Sequence, residues 1–394
     1  MALVAEDPGM EWADRFTGLV CRSCAAHTAP SEPAVRCPDC GGSLTVEFDH
    51  SDMEWPGTVP RDIWAFASGL PIEAPHGGLR PGGTPLVETP QFADAVDIER
   101  VLIKDESRNP TGSVWDRDMA IAGAAAAQLD VEHAALPAPG AAGQAAAAVG
   151  ARYGIDTTVF VPARSTFLAK AGINVSGATM RVIPGRYADA RSAFHDEHDS
   201  SWYSLEPGVN PFLQAGRWTL AWELVAGFGS QPPEMVVVPT GTGDGLVAMI
   251  EAFTMAEISG RIDAMPRIVA AQPETCAPIV EAMASNVASI EPVSTPDTIC
   301  GELEVPEPPA GQEALAKLRE IDGTAVAVSD AELYAAAIKL AREDGLIPSL
   351  AGGIAAAALV ELDGIDATEA VIINPGSGLV AADRLRSYLM GLGE

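Results

Sequence analysis

The stretch that decides the fold is Lys104-Asp105-Glu106-Ser107-Arg108-Asn109-Pro110-Thr111-Gly112-Ser113-Val114-Trp115-Asp116-Arg117. It overlaps a β-rich run, ERVLIKDE, and leads into an Ala-rich run, DMAIAGAAAAQL, which predicts a loop between a strand and a helix. The same alternation recurs from about residue 84 onward, with strand candidates that end in Pro or Gly. Strands that alternate with helices of about 10 to 15 residues predict a parallel sheet covered on both faces by helices. Ligands bind such sheets at the carboxyl ends of the strands.

Composition and charge narrow the class of protein. The chain has 394 residues, of which 47% are hydrophobic and 20% charged, so we expect a packed core rather than wholesale disorder. Fifty-four acidic residues against 24 basic ones give a net charge of −30, which excludes a general binder of nucleic acid or of anionic membranes. Many carboxylates with few lysines predict a halophilic protein adapted to high internal salt. A GC-rich genome, which replaces Lys by Arg, is the alternative explanation.

The N-terminal run MALVAEDPGMEWADRF is acidic and lacks the basic and apolar regions of a signal peptide. No window approaches the roughly 18 uninterrupted apolar residues that a membrane-spanning helix needs. We therefore expect a cytoplasmic protein, in a reducing compartment where paired cysteines bind metal rather than form disulfides.

Two Cys-x-x-Cys knuckles near the N-terminus form a separate unit. Four thiolates in two tight turns predict a tetrahedral structural zinc site, as in a zinc ribbon, with the ligands Cys21, Cys24, Cys37 and Cys40. A ribbon that has lost its metal, or a disulfide pair, is the alternative. The sequence predicts a zinc-ribbon-like module over 1–48 and a Pro- and Gly-rich linker over 49–83 that packs on the body.

The stretch 104–117 resembles the signature of fold type II pyridoxal-phosphate (PLP) enzymes, and most closely the Asn-Pro-Thr-Gly-Ser-Phe-Lys-Asp-Arg run of threonine synthases. The resemblance covers nearly the whole chain, including the N-terminal ribbon and Gly82-Gly83-Thr84-Pro85-Leu86. It implies a two-domain α/β fold of the tryptophan synthase β-subunit type over 84–394, with two interleaved subdomains, the smaller one at about 115–215. It also implies a homodimer, or a hetero-oligomer with an active relative.

The resemblance implies where a cofactor would be held, and several of those positions differ here. Trp115 stands where the family has the lysine that forms a Schiff base with PLP, and indole has no basic nitrogen. Ala141 stands where an Asn contacts the phenolic oxygen of the cofactor, and Pro375 where Thr or Ser contacts the ring nitrogen. In the loop that resembles the phosphate cradle, Asp244 adds a carboxylate that can cap the following helix. The vestigial cradle positions are Gly241, Thr242, Gly243 and Gly245.

Three functions remain open at this point. The first is a threonine synthase-like pseudoenzyme without PLP Schiff-base chemistry, which acts as a regulatory or structural partner or binds a small anionic or amino-acid-like ligand in the old cleft. This hypothesis keeps zinc as a structural cofactor and leaves PLP in doubt. The second is a PLP-dependent threonine synthase or amino-acid lyase that acts on O-phosphohomoserine or a similar amino acid. The third is a cofactor-independent enzyme that uses Asp116 and Asp244 as acid–base groups.

Overall fold

The computed structural model describes residues 10–50, 53–197, 199, 201–362 and 366–389, and these residues form three sheets. The first sheet belongs to the N-terminal module and is antiparallel, with the order β2-β1-β3. Its strands are β1 (Phe16–Cys21), β2 (His27–Thr28) and β3 (Leu44–Phe48). Because Cys21 ends β1 and the second knuckle lies in the turns before β3, the sheet brings the two knuckles together.

The body alternates strands with helices, as the sequence predicts. Its strands are β4 (Leu86–Glu88), β5 (Arg100–Asp105), β6 (His133–Pro137), β7 (Asp156–Pro162), β8 (Thr179–Ile183), β9 (Tyr203–Ser204), β10 (Met235–Pro239), β11 (Arg267–Pro273), β12 (Thr324–Val328) and β13 (Glu369–Asn374). Its helices are α1 (Pro90–Val96), α2 (Trp115–Gln128), α3 (Ala141–Tyr153), α4 (Phe167–Val175), α5 (Tyr187–Glu197), α6 (Pro211–Phe228), α7 (Asp244–Ile258), α8 (Pro278–Ala284), α9 (Gly311–Glu320), α10 (Asp330–Glu343), α11 (Leu350–Val360) and α12 (Ala382–Leu389).

These strands form a six-stranded sheet, in the order β12-β11-β10-β13-β5-β4, and a four-stranded sheet, in the order β8-β7-β6-β9. Neighbouring strands are parallel except β4, which pairs antiparallel with β5 at the edge. Neither the antiparallel edge strand β4, which has three residues, nor β12, which has the sequence TAVAV, is among the strands that the sequence analysis predicts. Within the described residues, no helix is both long enough and apolar enough to cross a membrane.

The segment between the module and the body packs on the body. It contains a 3₁₀ helix, Ile63–Gly69, in which Phe66 is fully buried. The rings of Phe66 and Trp55 lie 5.6 and 6.0 Å from the ring of Trp222 on α6, centroid to centroid. Aromatic contacts at these separations stabilise the packing beyond the area that they bury. The segment therefore covers one face of α6.

Four charged side chains are buried together where β5, α2 and α6 meet: Lys104, Glu106, Arg117 and Glu223. The Nε of Arg117 donates to Oε2 of Glu106 at 2.7 Å, and its Nη1 donates to Oε1 of Glu223 at 2.8 Å. Lys104 Nζ donates to Oε2 of Glu223 at 2.7 Å. The helices approach closely at Gly216, where a β-carbon would lie 2.3 Å from the backbone oxygen of Arg117. Two cations and two anions thus compensate one another away from water.

This buried network also fixes the backbone around it. Burial alone would raise the pKa of Glu223, but Arg117 and Lys104 lower it to about 2, so the carboxylate stays ionised. The backbone N–H of Gly83 donates to Glu223 at 2.8 Å, and the side-chain amide of Asn109 donates to Glu106 at 2.7 Å. The start of the body and the loop before α2 are therefore held at one point.

We expect Glu223→Ala to lower the free energy of unfolding by about 3–5 kcal/mol, because it leaves Arg117 and Lys104 buried without their shared anion. Urea denaturation at fixed pH and salt measures this change. Glu257→Ala on the exposed end of α7 is the control, with an expected change within about 0.5 kcal/mol. Equal losses in the two variants would contradict the role of the network.

Candidate ligand-binding cleft and metal centre

A cleft lies at the carboxyl ends of strands from both body sheets. Its lining includes residues that follow strands directly or within two positions: Pro139 after β6, Arg164 after β7, Thr240 after β10 and Pro375 after β13. The cleft has two chambers. The outer chamber is the one lined by Arg164, Arg186 and Arg384, and the inner chamber is the one lined by the glycine-rich loop 240–245. Residues shared by the two chambers include Trp115, Pro139, Ala141, Tyr187 and Pro375. Its position agrees with the expectation for ligand sites in parallel α/β sheets.

Trp115 is the first residue of α2 and stands between the chambers. The backbone N–H of Val114 donates to the oxygen of Pro375 at 2.8 Å, and the N–H of Ser377 donates to the oxygen of Gly112 at 3.2 Å. These bonds join the loop before α2 to the loop after β13, so that the position of the indole is fixed by two segments distant in sequence.

The inner chamber contains the glycine-rich loop between β10 and α7. Gly243 has φ +90°, and a β-carbon there would lie 2.9 Å from the backbone of Ala310, so the turn requires glycine. The sequence analysis predicts that Asp244 can cap α7, but in the structure it is the first residue of that helix and makes no cap. Its carboxylate accepts the N–H of Gly208 at 3.1 Å and the hydroxyl of Thr242. No side chain in the described part of the chain caps α7, which leaves its first N–H groups facing the chamber.

Arg217 on α6 reaches over the inner chamber. Its guanidinium carbon lies 5.0 Å from the centroid of the Trp115 ring, a cation–π contact. Its Nε donates to Oδ1 of Asp118 at 2.9 Å. Burial disfavours the charged form of both groups. The Asp118 carboxylate nevertheless raises the pKa of Arg217. For Asp118 burial is the larger effect and raises its pKa to about 7. A β-carbon on Gly245 would lie 2.6 Å from Arg217, so the guanidinium also covers the first turn of α7.

Tyr187 is a polar group without a protein partner in the cleft. Its side chain is buried, with 4% of the residue exposed, and it lines both chambers. Its hydroxyl has no hydrogen-bond partner among the described residues, and burial raises its pKa. A buried hydroxyl without a partner costs free energy, so a ligand or water that accepts a hydrogen bond from it would be stabilised there.

Charged side chains of both signs line the outer chamber, and the carboxylates among them are Glu302 and Glu304. Three arginines from separate elements line it: Arg164, Arg186 and Arg384. Arg186 pairs with Asp297 at 3.0 Å and with Glu304 at 2.5 Å. The hydroxyl of Ser113, on the same wall, is buried and has no hydrogen-bond partner among the described residues. Arginines and free hydroxyls are donors that bind carboxylate and phosphate groups.

The structure brings all the predicted cleft residues into the inner chamber, namely Trp115, Ala141, Gly241, Thr242, Gly243, Gly245 and Pro375. Asp244 lines it as well, whereas Asp116, which the structure describes as fully buried, is absent from the lining of both chambers. Asp116 instead accepts hydrogen bonds from the backbone N–H and the hydroxyl of Thr111, both at 2.9 Å. Burial raises its pKa to about 6. Its geometry is that of a group that orders the loop before α2.

Sequence reasoning missed the arginines and Tyr187. Isolated Arg and Tyr residues after strands carry no local pattern, and arginines are usually on the surface. The one available signal was Gly216-Arg217-Trp218-Thr219, which resembles a Gly-x-Lys-Thr run of the threonine synthases. In that resemblance Trp218 stands at the lysine position, whereas the side chain that lines the cleft is Arg217.

The four cysteines of the module form a compact cluster. Their sulfurs all lie within 4.8 Å of one another, and the individual separations include 3.5 Å for Cys21–Cys40 and 3.7 Å for Cys24–Cys37. A tetrahedral zinc with bonds of about 2.3 Å places its sulfurs about 3.8 Å apart. The cluster therefore fits Zn²⁺, and four thiolates would complete the coordination without an open position.

We expect about one zinc per chain in the purified protein, and we expect Cys37→Ser to lose it, because a neutral hydroxyl is a poor replacement for a thiolate. Elemental analysis after gel filtration measures the ratio. Cys276→Ser, a buried cysteine outside the cluster, is the control and should retain the metal. A native protein without metal would contradict the assignment.

Residues 79–376 match the family model described as "Pyridoxal-phosphate dependent enzyme". This match covers most of the chain, and the chain belongs to that family. The structure is similar to threonine deaminase isoform 2 from Solanum lycopersicum, with a TM-score of 0.66 and 19% identity over 79% of this chain and 84% of that one. It is also similar to maize serine racemase, with a TM-score of 0.65 and 16% identity over 78% and 92% of the two chains. These likenesses confirm the α/β fold type II architecture.

Within the family, the chain is similar to threonine synthases. It is 31% identical to the threonine synthase of Methanosarcina acetivorans over 83% of this chain and 82% of that protein. It is 30% identical to the threonine synthase of Methanocaldococcus jannaschii over 92% of this chain and 93% of that protein. The resemblance drawn from residues 104–117 is thereby confirmed, and the chain is threonine synthase-like along most of its length.

Proposed function

We propose that this threonine synthase-like protein binds a small anionic, amino-acid-like ligand in its cleft without covalent PLP chemistry. One observation carries the proposal. All four lysines of the chain, Lys104, Lys170, Lys317 and Lys339, lie in the described part, and none of them lines either chamber. A Schiff base requires a primary amine that reaches the cofactor, and no other side chain replaces it.

The positions of the lysines support this proposal further. Lys104 is 1% exposed and its ammonium group is held by Glu223 and by the backbone oxygen of Thr84, at 2.7 and 2.6 Å. Lys170 donates to the backbone oxygen of Ala163 at 2.9 Å. Moving the ammonium of Lys104 into the cleft would leave Glu223 with one partner fewer inside the buried network.

The environment of the cofactor site supports it as well. Arg217 and Trp115 pack against each other over the inner chamber, and Asp244 places a carboxylate beside the N-terminus of α7, where a cofactor phosphate would meet it. The Asp244 carboxylate would repel a phosphate bound in the same loop, because both groups are negatively charged. We therefore expect the ligand to be anchored by the arginines of the outer chamber, with the indole of Trp115 as its apolar contact.

We expect no lysine adduct when the protein is incubated with PLP and treated with borohydride, because no ammonium group is placed in the cleft. Intact-mass analysis followed by peptide mapping measures the adduct. Trp115→Lys is the positive control for reagent access, since it puts an amine between the chambers. A stoichiometric adduct in the unaltered protein at any of its lysines would refute the proposal.

We expect O-phospho-L-serine to bind saturably and Arg186→Met to weaken this binding at least tenfold, because the variant removes a charged donor from the outer chamber. Calorimetric titration at low salt gives both affinities. Arg181→Met is the matched control, because Arg181 pairs with Glu197 on the surface outside the cleft. Binding that is absent, or unaffected by Arg186→Met, would count against an anion site here.

The second candidate function is that of the relatives, a PLP-dependent threonine synthase that acts on O-phosphohomoserine. The observation in its favour is the identity of about 30% to threonine synthases over most of the chain. It requires a lysine from outside the cleft or PLP held without a covalent bond.

We expect Trp115→Lys alone not to form threonine from O-phosphohomoserine, because Ala141 and Pro375 cannot make the two remaining ring contacts that the family resemblance implies. Assays of the unaltered protein and of this variant, with PLP added, measure threonine by chromatography. Threonine formed by the unaltered protein would establish the second function. Full activity gained from the single substitution would show that the positions of Ala141 and Pro375 do not matter.

A further inference from the structure

The N-terminal module packs on the body through aromatic contacts, among them Trp12 and Phe16 with Phe212, and also through one arginine of its first knuckle. Arg22 lies between the cysteines of that knuckle, and its side chain leaves the module toward three helices of the body. Its Nη2 donates to Gln214 on α6 at 3.0 Å and to Glu251 on α7 at 2.9 Å. Its Nη1 lies 2.6 Å from a carboxylate oxygen of Glu313 on α9. A single side chain therefore joins three helices to the metal-binding turn.

Two of these helices carry the inner chamber. Glu251 on α7 also accepts the indole N–H of Trp218 at 3.2 Å, and Trp218 is the neighbour of Arg217. Gln214 lies about one turn before Arg217 on the same helix. The side chain of Arg22 is thus connected, through one carboxylate, to the segment that places a guanidinium over Trp115.

The module also lies directly behind the glycine-rich loop. A small cavity is lined by Ser43 and Leu44 of the module and by Gly208 and Asp244 of the body. Asp244 lines the inner chamber from its other side. The backbone N–H of Arg22 donates to the oxygen of Ser43 at 3.0 Å, so a hydrogen bond joins the knuckle to this wall of the cavity.

We infer that Arg22 is a positioning residue that couples metal binding by the four cysteines to the order of the inner chamber. When the metal fixes the first knuckle, the guanidinium of Arg22 is held against α6, α7 and α9. When the metal is removed, nothing links the two knuckles through their cysteines, and the backbone of Arg22 is no longer held in place. Its guanidinium then no longer supports Arg217 and the glycine-rich loop. This coupling does not depend on which ligand the cleft binds.

Hydrogen–deuterium exchange of the full chain tests the inference, with and without removal of the metal by a chelator. In the unaltered protein, we expect removal to raise exchange in the module and also, by about fivefold or more, in peptides that cover 211–219 and 239–246. In Arg22→Met, which keeps all four sulfurs, the metal should stay bound while these body peptides already exchange fast. The chelator should then add little outside the module.

Two further variants separate positioning from general damage. Arg36→Met is the matched control, because Arg36 adjoins Cys37 as Arg22 adjoins Cys21 but has an exposed side chain; it should behave as the unaltered protein. Arg22→Lys keeps the charge but has one donor nitrogen in place of the guanidinium fork, so it should restore the protection in part. If Arg22→Met does not fold, Glu251→Gln removes the shared carboxylate charge and should raise exchange at 211–219.

Three results would overturn the inference. The first is a native chain without bound metal. The second is a chelator effect confined to the module. The third is equal exchange in the body peptides of Arg22→Met, or of Glu251→Gln if that variant replaces it, and Arg36→Met.

Discussion

The buried group of Lys104, Glu106, Arg117 and Glu223 is the constraint on which the cleft depends. These side chains come from β5, from the turn after it, from α2 and from α6, and together they have no net charge. Because a buried charge without its partner costs several kcal/mol, this network holds the four segments in the arrangement that pairs every charge. That arrangement starts α2 at a fixed place, and so it also fixes the position of the indole of Trp115.

The cleft lies between loops that hydrogen bonds hold together. Its walls are loops at the carboxyl ends of parallel strands, and hydrogen bonds between the loops before α2 and after β13 hold them together. Inside, an indole and a guanidinium lie against each other, and Asp244 is bound by neighbouring groups of the protein. On the proposed function, the arginines and free hydroxyls of this site are the donors that bind a small anion. The site lacks an amine for covalent chemistry on PLP, which is the physical basis of the proposed function.

The cysteine module has a different role from the cleft. A closed set of four thiolates has no position for a substrate, so its contribution is to hold the chain. The contacts of Arg22 connect the module to α6, α7 and α9, and the first two of these helices line the inner chamber. Both parts follow the same physical rule: a charged group at a junction between elements fixes their relative position when each of its partners is present.

The sequence by itself determined the α/β alternation and the cysteine knuckles, because each is a local pattern within a few residues. That Trp115 and Pro375 stand at the family's cofactor positions stays a prediction. The sequence could not determine the role of Asp244 or the approach of Arg217 to Trp115. Only the tertiary structure decided these, because the partners lie far apart along the chain, as Lys104 and Glu223 do at 119 residues. Contacts of that kind follow from how helices pack at Gly216 and around buried charges, and no local pattern encodes them.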